Sequence, residues 1–113
     1  MKIRVSKAAA KPAVTIVSVD GEVGEEEAAA LATQVREQIK MGRSKIVLDL
    51  SEVTFLTTRG IAELAAAAKR VRQRGGDLKI AGAKGDVWRV IEMVWLHRMI
   101  TCYDDAKEAV ADF

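Results

Sequence analysis

Several residue types are scarce in this sequence, and each scarcity excludes a class of function. The chain has one cysteine, one histidine and one proline in 113 residues. A single cysteine cannot form an internal disulfide, so nothing in the chain requires an oxidising compartment. Aromatic residues make up only 4% of the chain, and they are not interleaved with basic residues as a nucleic-acid interface would need. We therefore expect no nucleic-acid partner.

Long apolar runs are also missing. No stretch approaches the roughly 20 apolar residues that span a bilayer, and lysines interrupt the N-terminus where a signal peptide would be apolar. We expect a cytoplasmic protein without direct membrane insertion. The net charge of +2, from 18 basic and 16 acidic residues, indicates solubility and little else. Half of the residues are apolar, which is enough for one domain over residues 1–113 with its own core.

Segments of strand and helix character alternate along the chain. Apolar spacing predicts an α/β sandwich around a mainly parallel sheet of about five strands, with about four helices and right-handed crossovers. Asp20-Gly21 is expected to end the second strand, and Gly75-Gly76 the second helix. The predicted strands are 3–5, 13–19, 45–50, 77–82 and 98–103. The predicted helices are 25–42, the segment from the Thr57-Thr58-Arg59-Gly60 junction to residue 74, 86–96 and 104–113.

One junction places two hydroxyl groups between a strand and a helix. In "VTFLTTRGIAEL" (53–64), an apolar run stops at Thr57 and Thr58, and helical spacing resumes after Gly60. Threonine is a good N-cap, worth about 1 kcal/mol, so capping is one explanation for both residues. A phosphate would also be well placed at a helix N-terminus. The residues alone leave both interpretations open.

The chain resembles STAS domains, the fold of bacterial anti-sigma factor antagonists. The motifs "VDGEV", "VLDLSEVTF", "RGGDLKIAG" and "VIEMVWL" occur in the family's order and spacing. The resemblance implies a regulatory binding protein and not an enzyme. Its partner would be a serine/threonine kinase that acts as an anti-sigma factor, and phosphorylation at the start of a helix would weaken binding. The acceptor position falls on Thr58, with Thr57 as second choice.

Several positions depart from the family pattern. The usual acceptor sequence Asp-Ser-Ser-Gly is Thr57-Thr58-Arg59-Gly60 in this chain, and a common acidic residue upstream is Gly24. Trp95 stands where the family often has glycine. By the resemblance, the expected partner-binding residues are Glu22, Gly24, Thr57, Thr58, Arg59, Gly60 and Glu63. Ala67 and Arg70 are expected to extend the solvent side of the same helix.

The resemblance allows a second function. STAS domains also serve as permanent subunits of larger assemblies, such as stress-sensing scaffolds or cytoplasmic accessories of membrane transporters. A permanent subunit needs no kinase chemistry, so the loss of both acidic positions favours this alternative. A small-ligand sensor is a third option that nothing in the sequence requires.

The remaining candidate sites have simpler explanations. His97 and Cys102 could form a nucleophile–base pair, but Cys102 lies in an apolar strand pattern and is expected to be buried. No cluster has metal-ligand spacing, and we expect neither a metal, nor a cofactor, nor catalysis. The basic run Lys69, Arg70, Arg72 and Arg74 is typical of a solvated helix end. Trp88 and Trp95, seven residues apart on a predicted helix, either border the core or anchor a partner or a second copy in a homodimer.

Overall fold

A five-stranded sheet organises the fold in the computed structural model, which describes residues 2–113. Its strands are β1 (Ile3–Lys7), β2 (Thr15–Val23), β3 (Lys45–Leu56), β4 (Asp77–Ala81) and β5 (Cys102–Tyr103). They lie side by side in chain order. β1 is antiparallel to β2, and every other neighbouring pair is parallel. The predicted α/β architecture with a mainly parallel sheet is confirmed.

Four helices cover the two faces of this sheet. They are α1 (Glu25–Lys40), α2 (Thr58–Gln73), α3 (Gly85–Met93) and α4 (Ala106–Ala111). Helices α1, α2 and α3 share the larger core with the side chains of β3 that point to that face, including Ile46 and Leu48. Val47 points the other way and packs with Ala109 and Val110 of α4. The strand thus alternates between two apolar layers, as expected for a parallel strand buried on both faces.

The second and third strands are longer than predicted. Asp20 and Gly21 lie inside β2, where Gly21 has φ +82° and pairs with Val53. The expected break at this dipeptide is therefore wrong, because glycine accommodates the left-handed backbone without leaving the sheet. β3 continues beyond its predicted end to Leu56 and contains two single-residue bulges relative to β2.

The chain after α3 also differs from the prediction. α3 ends at Met93, and Trp95 adopts φ +63°, the left-handed conformation. That conformation cannot continue a right-handed helix, so a short 3-10 helix, Leu96–Arg98, follows instead. The predicted strand at 98–103 shrinks to Cys102–Tyr103. Val94, directly after the last residue of α3, is exposed.

Candidate functional site

The junction between β3 and α2 is held by two hydrogen bonds of Thr57. Its hydroxyl Oγ1 accepts from the N–H of Gly60 at 2.9 Å, which makes Thr57 the N-cap of α2. Its own N–H donates to the carbonyl of Val23 at 3.2 Å. The first bond satisfies an N–H that a helix start leaves free. The second fixes the end of β2 beside the start of α2.

Gly60 is buried where these segments meet. A Cβ at this position would lie 3.2 Å from Thr57 Oγ1 and 3.3 Å from both the Leu56 side chain and the Val23 carbonyl. The absence of a side chain therefore lets the helix start pack closely on the strand ends. Gly60 was predicted to contact a partner. Its burial gives it a spacing role in the fold, and the predicted partner contact stays a prediction.

Thr58, the first residue of α2, is exposed. Thr57 is half-buried, and its hydroxyl is occupied by the cap. The two threonines thus differ in role, and only Thr57 is an N-cap. The first turn of α2 contains no acidic residue. The partial positive charge of the helix N-terminus therefore has no carboxylate within that turn.

Arg59 connects the starts of two helices. Its Nη2 lies 3.1 Å from Glu25 Oε1 in the first turn of α1. The two side chains are 73% and 64% exposed, so water screens the pair and it contributes little to stability. An arginine held this loosely beside Thr58 remains available to another anion.

An exposed aromatic residue lies close to this junction. Phe55 is 50% exposed and pairs across the β2–β3 ladder with Glu22, which is also exposed. The second bulge in β3 falls at Thr54, so Phe55 leaves the face on which Val53 is buried. Bulges commonly re-aim side chains near functional sites. Sequence reasoning missed Phe55 because strict alternation would place it with Val53.

Gly24 and Glu63 are the remaining predicted partner-binding residues, and Ala67 was expected beside them. Gly24 is the N-cap of α1, and its N–H donates to Glu27 Oε1 at 3.0 Å, so it lies next to Glu25. Glu63 is half-buried on α2. Ala67 was expected on the solvent side but is buried in the core, because the buried face of α2 includes it together with Leu64 and Ala68. The junction therefore brings together Glu22, Gly24, Thr58, Arg59 and, from outside the prediction, Glu25 and Phe55.

His97 and Cys102 serve separate contacts. The His97 ring packs edge-on against Trp88 at 5.7 Å and stacks on Trp95 at 6.3 Å, measured between ring centroids. The Cys102 thiol donates to the Ile100 carbonyl at 3.4 Å. Burial raises the pKa of this thiol to about 11, so it is protonated near neutral pH and is a poor nucleophile.

The two tryptophans do not share a helix face as predicted, since Trp95 lies beyond the end of α3. They meet through His97 instead. Trp88 packs against the main core, while Trp95 is 60% exposed. Arg98 lies over the Trp95 ring, with 4.7 Å from its Cζ to the ring centroid.

Among residues 2–113, no helix combines the length and apolar character needed to cross a membrane. Within the same residues, no group of three or more His, Cys, Asp or Glu side chains is arranged to hold a metal ion.

Comparison with known proteins identifies the family. Residues 6–109 match the STAS domain family, and the chain belongs to it. It is 25% identical over 100 residues to the anti-sigma F factor antagonist of Paenibacillus polymyxa, covering 88% of this chain and 86% of that protein. The crystal structure of an anti-sigma factor antagonist from Mycobacterium paratuberculosis superposes with a TM-score of 0.85 at 26% identity, covering 98% and 92% of the two chains. This is a STAS protein similar to anti-sigma factor antagonists.

More distant structures share the fold alone. The phosphorylated form of the Bacillus cell fate determinant SpoIIAA superposes with a TM-score of 0.73 at 11% identity, covering 98% of each chain. The murine anion transporter Slc26a9 matches at a TM-score of 0.74 and 19% identity, over 88% of this chain and 17% of that one.

Proposed function

We propose that this chain is a regulatory binding protein that associates with a kinase-like anti-sigma factor and is released by phosphorylation at Thr58. The observation that carries the proposal is the contrast between the two threonines. Thr58 exposes its side chain at the start of α2, whereas the Thr57 hydroxyl is engaged as the cap. A kinase needs a hydroxyl that it can reach, so Thr58 is the better acceptor.

The local electrostatics suit a phosphate at Thr58. The group would carry about −1.5 to −2 charges beside free N–H groups of a helix N-terminus, which favour anions. Arg59 is held only by an exposed ion pair with Glu25 and is able to exchange that carboxylate for the phosphate. Phosphorylation would therefore leave the fold intact and act on the contact with a partner.

The surrounding surface supports a protein contact. Phe55 offers an exposed aromatic ring, and aromatic anchors supply much of the affinity in protein interfaces. Glu22 pairs with Phe55 across the β2–β3 ladder, and Arg59 and Glu25 add charges of both signs at the adjoining helix starts. A phosphate introduced at Thr58 would have to lose its water in such a contact, and the cost of that desolvation would weaken binding.

The departure at Thr57 is compatible with the switch. Aspartate and threonine both act as N-caps, and the Thr57 hydroxyl makes the capping hydrogen bond. The replacement of aspartate by threonine changes the local charge instead, since the first turn of α2 has no carboxylate to repel a phosphate. The family's usual serine after the acceptor is replaced by Arg59, whose positive charge acts in the same direction.

The test is to recover tagged protein from its native cell lysate in the presence of ATP and to identify its partner and its phosphorylated residues by mass spectrometry. We expect a kinase-fold partner in the bound fraction and phosphate on Thr58 in the unbound fraction. Thr58→Ala should abolish the modification, while Thr101→Ala, which alters another exposed threonine, should not. Phosphate on Thr57 alone, or its complete absence from both threonines, would contradict the proposal.

A second candidate function is a permanent subunit of a larger assembly. The loss of the family's acidic residues at Thr57 and Gly24 favours it, as does the use of this fold in the transporter Slc26a9. In that case the same recovery experiment would yield a stable multi-subunit complex with both Thr57 and Thr58 unmodified.

A further inference from the structure

A basic cleft lies between the C-terminal ends of α1 and α2. Its volume is about 310 Å³. Four of its six lining residues are cationic and none is acidic; the six are Arg36, Ile39, Lys40, Arg70, Gln73 and Arg74. Ile39 contributes the apolar part of the wall. The cleft is thus defined by positive charges that converge from two helices.

Little within the protein neutralises these charges. Lys40 Nζ lies 3.4 Å from Glu37 Oε1, and both side chains are largely exposed. Arg36 Nη2 donates to the neutral Thr33 Oγ1 at 3.0 Å. The exposed Lys40–Glu37 contact is therefore weak, and Arg36 has only an uncharged acceptor here.

Arg70 provides the most specific sign of a ligand. Its Nη1 is buried and has no hydrogen-bond partner among residues 2–113. The helix dipole explains why cations collect at helix C-termini, but it gives this nitrogen no acceptor. A buried donor without a partner carries a desolvation cost, which rotation of the Arg70 guanidinium toward an anion in the cleft would remove.

We propose that this cleft binds a compact phosphate-bearing ligand with at least two adjacent negative charges, of the diphosphate type. A guanidinium group presents a planar fork of donors that matches phosphate oxygens. The volume is at the lower end of the range of about 300–1,000 Å³ for small-molecule sites, which suits a compact group. An acidic peptide would need an extended track, whereas these cations surround one cavity.

The cleft is remote from Thr58. α2 has 16 residues, so it is about 24 Å long at 1.5 Å per residue. Thr58 begins this helix, while Arg70 and Arg74 lie at its other end. The inference therefore does not depend on the proposed phosphorylation switch, and either one can fail without the other.

The test is calorimetric titration of the full chain with pyrophosphate at low ionic strength. We expect saturable binding with one site, which weakens as salt is added. Because Arg70→Gln removes a charge-assisted hydrogen bond to the ligand, it should weaken binding at least about tenfold. Arg36→Gln alters an exposed side chain of the cleft and should also weaken binding, so the test stands even if Arg70→Gln unfolds the protein. Arg4→Gln, an exposed arginine on β1, is the charge-matched control and should bind like the unmodified chain.

Several outcomes would overturn the proposal. One is the absence of saturable binding at millimolar pyrophosphate. Another is equal weakening by Arg4→Gln, which would mean attraction to overall charge and not to a site. Binding of inorganic phosphate as tightly as pyrophosphate would contradict a diphosphate ligand. Binding of poly-glutamate in the absence of pyrophosphate binding would assign the cleft to an acidic polypeptide.

Discussion

Arg59 Nη2 lies 3.1 Å from Glu25 Oε1, so an ion pair joins the first turns of α1 and α2 directly after Thr58. Because both side chains are mostly exposed, the pair is easily exchanged. A phosphate on the neighbouring residue would bring a larger negative charge to the same guanidinium. The Arg59 guanidinium is therefore available to a phosphate on Thr58, and the fold does not depend on its ion pair with Glu25.

The weakness of this pair is measurable. Arg59→Ala should change the free energy of unfolding by no more than about 0.5 kcal/mol, in the range of exposed ion pairs. Urea denaturation followed by circular dichroism measures it, with Glu25→Ala as the matched change on the other partner. A loss of more than about 2 kcal/mol would mean that Arg59 is structural and not free to meet a phosphate.

The two threonines should differ in their effect on stability. Thr57→Ala removes the capping hydrogen bond to Gly60 and should cost about 1 kcal/mol. Thr58→Ala changes an exposed side chain and should stay within about 0.5 kcal/mol. Thr57→Asp keeps a capping oxygen and should restore most of the loss. If Thr58→Ala were the more destabilising change in the same denaturation series, the assignment of the cap would be wrong.

A negative charge at Thr58 should be tolerated by the fold. Thr58→Asp places a carboxylate in the first turn of α2, where the helix dipole favours it by about 0.3–1 kcal/mol. Thermal unfolding should therefore give a melting temperature equal to or above that of Thr58→Asn, the neutral variant of the same shape. A clearly lower melting temperature for the aspartate variant would contradict this electrostatic picture.

Trp95 adopts a backbone conformation that favours glycine. With φ +63°, a side chain at this position costs about 1–2 kcal/mol, so Trp95→Gly should be about 1 kcal/mol more stable than Trp95→Ala. Met93 is the exposed last residue of α3. At this position Met93→Ala should be more stable than Met93→Gly, because glycine is the poorer helix former. Chemical denaturation of the four variants measures both differences. The same order at both positions would contradict the left-handed conformation of Trp95.

The thiol of Cys102 should make stability depend on alkaline pH. Its pKa is raised by burial to about 11 in the folded chain, so the unfolded chain loses this proton at lower pH. The free energy that the protonated thiol contributes to folding is fully present below the pKa of the unfolded chain. It is lost as the pH rises through the pKa of the folded chain. Unmodified protein should therefore lose stability relative to Cys102→Ala between about pH 9 and 11. Using the difference between the two proteins cancels the titration of Tyr103 and Lys79. A constant difference over that range would contradict the burial of the thiol.

Periodic segments were predictable from sequence, while local backbone geometry was not. α1 was recognised because Leu31 and Val35 repeat at helical spacing after three glutamates, and β3 because Ile46 to Leu48 form a continuous apolar run. The end of α3 was missed, since "VIEMVWL" keeps an apolar pattern through Trp95. In its left-handed conformation Trp95 contacts His97 and Arg98, and periodicity encodes neither that conformation nor these contacts.

The candidate site was located from sequence, but its surface was described incompletely. The position of Thr58 at a helix start followed from the strand-to-helix transition. Phe55 was missed because its exposure depends on a bulge between β2 and β3, a register that neither strand specifies alone. Gly60 and Ala67 were placed on the surface although tertiary packing buries both. Proximity in sequence to a functional residue was an unreliable guide to exposure.

The most direct test of the central claim is the affinity of the kinase-fold partner for two forms of this chain, unmodified and carrying phosphothreonine at position 58. The account predicts at least about a hundredfold weaker binding of the phosphorylated form, equivalent to roughly 2.7 kcal/mol, with an unchanged circular dichroism spectrum. Affinities within about twofold of each other would contradict the switch and leave the chain as a permanent subunit.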